Sequence, residues 1–178
     1  MAYTVPATHL IKEGVVIQAL DASSTAIAHD LGYTVRTTTG KEFVYCQVAS
    51  DNVVTHAGYP AYWMSGGSQY YIHSDASDCQ ETDGTDGPIG SSFAGVFACA
   101  IAANNGAEGT MCYAWIQTKG EVPDASVSTD VTAQETLCAK SDNFLDVYST
   151  ATESSSHVVA YALEAVSGDT ADIMLLDR

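Results

Sequence analysis

Tyr33-Thr-Val-Arg-Thr-Thr-Thr-Gly-Lys-Glu-Phe-Val-Tyr-Cys-Gln-Val48 is the stretch on which the fold assignment turns. Both halves are rich in β-branched and aromatic residues, which suit a pleated, half-buried surface. The first half alternates. The second sets Phe43, Tyr45 and Gln47 against Val44, Cys46 and Val48. Thr39-Gly40-Lys41 between them suits a tight turn, so the stretch predicts a β-hairpin. A one-residue slip would exchange its two faces, so the turn sets the register.

The same grammar extends in both directions. Residues 59–73 read as a second hairpin folded across Gly66-Gly67, unusually rich in Tyr and Trp. Phe93–Ala103 is a small-residue apolar run that reads as a buried strand. Thr110–Gly120 reads as another, followed by shorter strands near 121–127, 135–140 and 144–149, and by 158–166 and 171–176. No helical period persists. Short strands spaced by turn residues predict an all-β domain, a single barrel or sandwich over 31–178. Residues 1–30 lack this grammar and read as an N-terminal arm or edge strand with a connection. Residues 74–90 are Asp-, Gly- and Pro-rich and read as a long acidic loop.

Charge narrows the partners. The chain carries 22 acidic residues against six Lys and Arg, a formal net charge of −16. The six (Lys12, Arg36, Lys41, Lys119, Lys140 and Arg178) are scattered along the sequence. Phosphate neutralisation requires clustered cations, so nucleic acid is excluded as a partner, and an anionic membrane is disfavoured for the same reason. Five cysteines without a CxxC spacing argue against a disulfide framework and for synthesis in a reducing cytosol. Met1 to Leu10 lack the basic start and apolar run of an export signal, and no stretch reaches the length of a membrane span.

Chemistry-bearing motifs are sparse. The five histidines are unpaired at any metal-binding spacing. Asp75, Asp78, Glu81, Asp83 and Asp86 form a weak calcium candidate, because hard cations take several carboxylate oxygens; they lack the ordered spacing of an EF-hand loop. A solvated, self-repelling loop is the simpler reading. There is no nucleophile elbow and no phosphate-binding loop, so no catalytic residue, metal or cofactor is assigned. The aromatic set Tyr59, Tyr62, Trp63, Tyr70 and Tyr71 suits either a contact surface or cross-strand pairs.

Four stretches together resemble the decoration, or cement, proteins of tailed-bacteriophage capsids. They are Leu31–Ala49, Phe93-Ala-Gly-Val-Phe-Ala-Cys-Ala-Ile-Ala, Tyr113-Ala-Trp-Ile-Gln-Thr-Lys-Gly120, and the ending Val159-Ala-Tyr-Ala-Leu-Glu-Ala with Ile173-Met-Leu-Leu. Ala114 stands where that family often has Gly, and the acidic loop looks like an insertion. The resemblance implies a β-barrel or sandwich on the capsid exterior, fastening neighbouring major capsid subunits, with no catalytic residues. It implies a homo-oligomer, a trimer in preference to a dimer, assembled on the virion in the host cytoplasm. Tyr3, Val5, Leu10 and Val16 of the arm, Arg36 and Lys41 of the first hairpin, and Tyr62 and Trp63 of the second are the expected partner contacts. The competing expectation is a virion-surface adhesin or head-fibre module that binds host glycans through the aromatic 59–73 region.

Overall fold

The computed structural model describes residues 19–49, 54–64, 70–74, 93–101, 112–139, 144–148 and 158–176, and among these it contains no helix. The first hairpin forms as the alternation requires. Strand β1 (Thr34–Arg36) pairs antiparallel with β2 (Glu42–Val48), in the register Thr34↔Val44, Val35↔Phe43 and Arg36↔Glu42. The turn is closed by Thr37 N donating to Lys41 O at 2.9 Å and Gly40 N donating to Thr37 O at 3.1 Å.

The second aromatic stretch supplies β3 (Pro60–Trp63) and β4 (Tyr71–His73), an antiparallel pair. The turn expected at Gly66-Gly67 lies outside the described residues. β4 then docks parallel to β2, through Gln47↔Tyr71 and Val48↔Ile72. β5 (Phe93–Phe97), buried along its whole length, pairs with β3 and with β6 (Cys112–Ser126). β6 returns to β2 over the register Val44↔Ile116 to Val48↔Cys112. The ring β2–β4–β3–β5–β6–β2 is thereby closed into a five-stranded barrel. Closure leaves no open edge within the ring.

β6 belongs to two sheets. Separate strands were expected over 110–120 and 121–127; one continuous strand spans Cys112–Ser126. The physical reason lies at its middle. The register passes from Phe43↔Gln117 to Glu42↔Lys119, so Thr118 is an extra residue in a β-bulge, which bends a strand without ending it. Gly120 (φ +90°) permits the change of direction, and the buried Gln117 side chain staples it. Its Nε2 donates to Lys119 O at 3.0 Å and to Glu121 O at 2.9 Å. Beyond the bend β6 pairs with β10 (Thr170–Leu175), and the second sheet continues through β9 (Val158–Ala162), β7 (Thr136–Ala139) and β8 (Leu145–Val147). β9 is shorter than the expected 158–166. The sheet curls until β8 meets the end of β6 again, with a bridge Val127↔Leu145 and Ser128 N donating to Leu145 O at 2.8 Å.

Three apolar clusters follow. Cys46, Ala61, Ile72, Phe97, Cys112, Ala114 and Ile116 fill the barrel. Val122, Leu137, Leu145, Val159, Ile173 and their neighbours fill the space under the second sheet, with Tyr62 and Phe93 of the barrel as its other wall. A third cluster lies on the barrel's outer side, where Phe43, Tyr45 and Trp115 are covered by β1, Leu20 and Leu31. The described part of the N-terminal segment, residues 19–30, lies on the barrel here. Ser24 forms a two-bond bridge with Tyr113, Ala28 N donates to the Tyr45 hydroxyl at 3.1 Å, and His29 stacks on Tyr33 at 5.3 Å.

Candidate binding surface

The outer face of the second sheet is built by β9 and β10, and on β9 it opens only beyond a register irregularity against β7. Along β9, Val159, Ala160 and Ala162 are buried, whereas Tyr161 and the following Leu163 are 36% and 39% exposed. β10 alternates strictly, sending Ala171, Ile173 and Leu175 inward and leaving Met174 half-buried. Register sets Met174 between Tyr161 and Glu121, with Thr136 beyond Tyr161. Leu163 N donates to Asp172 O at 2.8 Å, which aligns the next row. The result is an apolar strip, Met174–Tyr161–Leu163, on an otherwise polar face.

The barrel end beside this strip gathers three cations among the carboxylates Glu42 and Glu121. Arg36, Lys41 and Lys119 are all the Lys and Arg among the described residues, and the fold gathers them although the sequence scatters them. Arg36 and Lys119 both lie across from Glu42, the first on β1 and the second on β6. Arg36 is largely exposed and ion-paired with Glu42. Lys41 sits against Gly120, and burial pulls its ammonium below the usual lysine range while Glu121 and Asp172 oppose that shift. A cleft of about 460 Å³ lies between Thr39, Lys41, Lys119, Glu121, Met174 and Leu175, so the cations and the apolar strip share a border.

The expected contact residues divide. Arg36 and Lys41 lie at this end. Trp63 is half-buried, packed edge-on against Tyr70 at 5.8 Å, and borders a shallow cleft of about 260 Å³ with Val44 and Ala94. Tyr62 is corrected: it is fully buried, T-shaped against Phe93 at 6.2 Å, and serves the core. The physical reason is its place on β3 between barrel and second sheet, where both faces of the strand are covered. Tyr3, Val5, Leu10 and Val16, and the acidic set Asp75, Asp78, Glu81, Asp83 and Asp86, lie outside the described residues. Tyr161, Leu163 and Met174 escaped sequence reasoning. Their signal was present as a strand with apolar residues at both alternating positions.

Among the described residues no group of three His, Cys, Asp or Glu is placed to hold a metal ion. Cys46, Cys99, Cys112 and Cys138 are buried thiols in no disulfide. Burial, with Cys112 and Asp21 nearby, pushes the Cys99 thiol up to about 12, and burial raises Cys46 further still. A nucleophilic cysteine needs the opposite shift. No protein-family model matches the chain, and no curated protein matches it.

Proposed function

We propose that this chain is a structural virion protein that binds the outer surface of a phage capsid and stabilises contacts between major capsid subunits. The observation that carries the reading is the open apolar strip Met174–Tyr161–Leu163 on the outer face of the second sheet. A contiguous apolar patch rimmed by polar residues is characteristic of a protein-contact surface. The resemblance to decoration proteins adds support, because its four stretches fall on strands: β1–β2, β5, β6 and β9–β10. The glycan-binding alternative loses ground with the burial of Tyr62 and the half-burial of Trp63.

The test is co-sedimentation of the purified protein with bare phage capsids, followed by imaging of the pelleted particles. Binding is expected for the native chain. The double variant Tyr161→Glu/Leu163→Glu is expected to lose it while its thermal melt stays close to native. Equal binding by that variant, or no binding by the native chain, overturns the proposal. A glycan array read in parallel addresses the adhesin alternative.

A further inference from the structure

The apolar strip has unlike charges at its two ends. At the Met174 end lie Lys41, Lys119 and Glu121. At the Leu163 end the neighbours are carboxylates. Thr170, Asp172 and Met174 share the outer face of β10, since Ala171, Ile173 and Leu175 point inward. Leu163 N donates to Asp172 O at 2.8 Å, so Asp172 lies across from Leu163 as Met174 lies across from Tyr161. Glu164 follows Leu163 in the chain. Glu135 lies on the far side of β9, where Ala162 N donates to Glu135 O at 2.9 Å.

Backbone amides hold these carboxylates in place. Asp124 N donates to Asp172 Oδ1 at 3.1 Å, Asp172 N donates to Glu164 Oε1 at 3.4 Å, and Thr132 N donates to Glu135 Oε2 at 2.6 Å. Such a bond positions a carboxylate but leaves its charge and most of its acceptor capacity in place. Lys41 acts on Asp172 and on Glu121 at once, so its single charge offsets less than the carboxylates carry. The other two described cations, Arg36 and Lys119, flank Glu42 at the Met174 end.

We propose that the strip is occupied by an apolar protein segment flanked by Lys or Arg, with that cation set against Asp172 and Glu164. The inference rests on the capsid-contact reading of the strip and gives that contact its chemistry. Charge complementarity favours this occupant over a neutral one. A neutral apolar surface laid on Leu163 strips water from Asp172 and Glu164 and replaces it with nothing, whereas an ammonium or guanidinium group replaces it with a charge-assisted hydrogen bond. The net charge of −16 acts in the same direction at long range, drawing a basic surface in. The unlike ends also set orientation. A basic residue is attracted at Leu163 and repelled at Met174 by Lys41 and Lys119, so the segment lies along the strip in one direction.

The test is the rate at which the full chain associates with immobilised bare phage capsids in about 50 mM and about 500 mM salt, a change that shortens electrostatic range severalfold. The native chain is expected to associate about tenfold more slowly at the higher salt. At low salt Glu164→Lys is expected to associate about tenfold more slowly than the native chain. Asp30→Lys changes the net charge equally, at an exposed position on the segment covering the barrel, and is expected to stay within about twofold of native. Asp172→Asn keeps an oxygen for the Asp124 N–H, is expected to slow association severalfold, and supplies the reading if Glu164→Lys fails to fold. Salt-independent association of the native chain, or Glu164 and Asp30 variants that behave alike, overturns this inference and leaves capsid binding by the strip standing. No association by the native chain overturns both.

Discussion

The two halves of β6 share a backbone yet live in different surroundings. Cys112–Lys119 runs through a closed ring whose inner face is packed by the barrel core and whose outer face is sealed by β1 and residues 19–33. Gly120–Ser126 enters a sheet packed on one face and open on the other, where Met174, Tyr161 and Leu163 emerge. The difference separates stability from recognition. A layer buried on both sides tolerates little change, because interiors are packed to crystal-like density and a one-methylene misfit is felt. A layer open on one side can change its outer residues at small cost, and that is where a contact surface can reside.

The sharpest way to break this contrast uses two glycines. At Gly95, a barrel residue with φ +148°, an added Cβ would lie 2.4 Å from the Gln117 carbonyl oxygen. Neither backbone can yield without opening the β5–β6 seam. Gly95→Ala is expected to cost upwards of about 4 kcal/mol, enough to unfold a marginally stable domain. At Gly168, in the second sheet's β9–β10 connection, an added Cβ meets nothing within 4 Å, although φ is +76°. Gly168→Ala is expected to cost about 1–2 kcal/mol, the left-handed backbone penalty alone. Guanidinium unfolding of both variants measures the pair. Equal losses would remove the distinction between the two regions.

The second comparison sets one large side chain against another. Trp115 is fully buried and touches the rings of His29, Tyr33 and Tyr45 at 5.2, 6.3 and 5.0 Å. Trp115→Ala is expected to cost about 3–4 kcal/mol. Tyr161→Ala, on the open face, is expected to stay within about 0.5 kcal/mol of native while weakening capsid binding. A Tyr161 variant that unfolds like the Trp115 variant would place the strip in the core and withdraw it as a contact surface.

Legibility in the sequence follows the same divide. The β1–β2 hairpin was readable because Phe43, Tyr45, Val44 and Cys46 alternate and Gly40 marks the turn, all local signals. The parallel β2–β4 pairing that helps close the ring has no local signature; it depends on where the β3–β4 hairpin docks. β6 looked like two strands because Gly120 and Pro123 usually punctuate, whereas here the bulge and the Gln117 amide carry the strand through the first of them. Arg36 and Lys41 were singled out, but their meeting with Lys119 is a register effect, visible only once Glu42 lies between Arg36 and Lys119. Tyr161, Leu163 and Met174 look like core in sequence, because alternation marks two faces without saying which one is covered.

The bend itself offers a smaller effect. Gln117→Leu removes two hydrogen bonds to carbonyls but also an Oε1 that is buried without a partner, so the two changes partly offset. A net loss of about 1 kcal/mol is expected by guanidinium unfolding. Amide hydrogen exchange is expected to quicken at residues 119–121 and to leave the β2–β6 ladder at 112–116 protected. Loss of protection along the whole strand would mean that barrel and second sheet unfold as one unit at this bend.

The smallest expected effect is a pH dependence that belongs to the barrel side. The described histidines, His29, His56 and His73, all lie on the barrel or the segments covering it, and none lies in the second sheet. Burial lowers the pKa of His29 below 6.5, only partly countered by Asp30. The sign follows from proton binding: just below pH 6.5 the unfolded chain takes up this proton more readily than the folded one, so stability falls. The contribution is complete above pH 6.5 and is lost as pH drops towards the lowered folded value. His29→Phe keeps a flat ring against Tyr33 and Trp115 but cannot titrate. Its stability is expected to decline less than that of the native chain between pH 7 and pH 5, as read by urea unfolding at each pH. Parallel declines would show that the proton is taken up elsewhere, and that the ring stack holds residues 19–30 on the barrel regardless of the charge at His29.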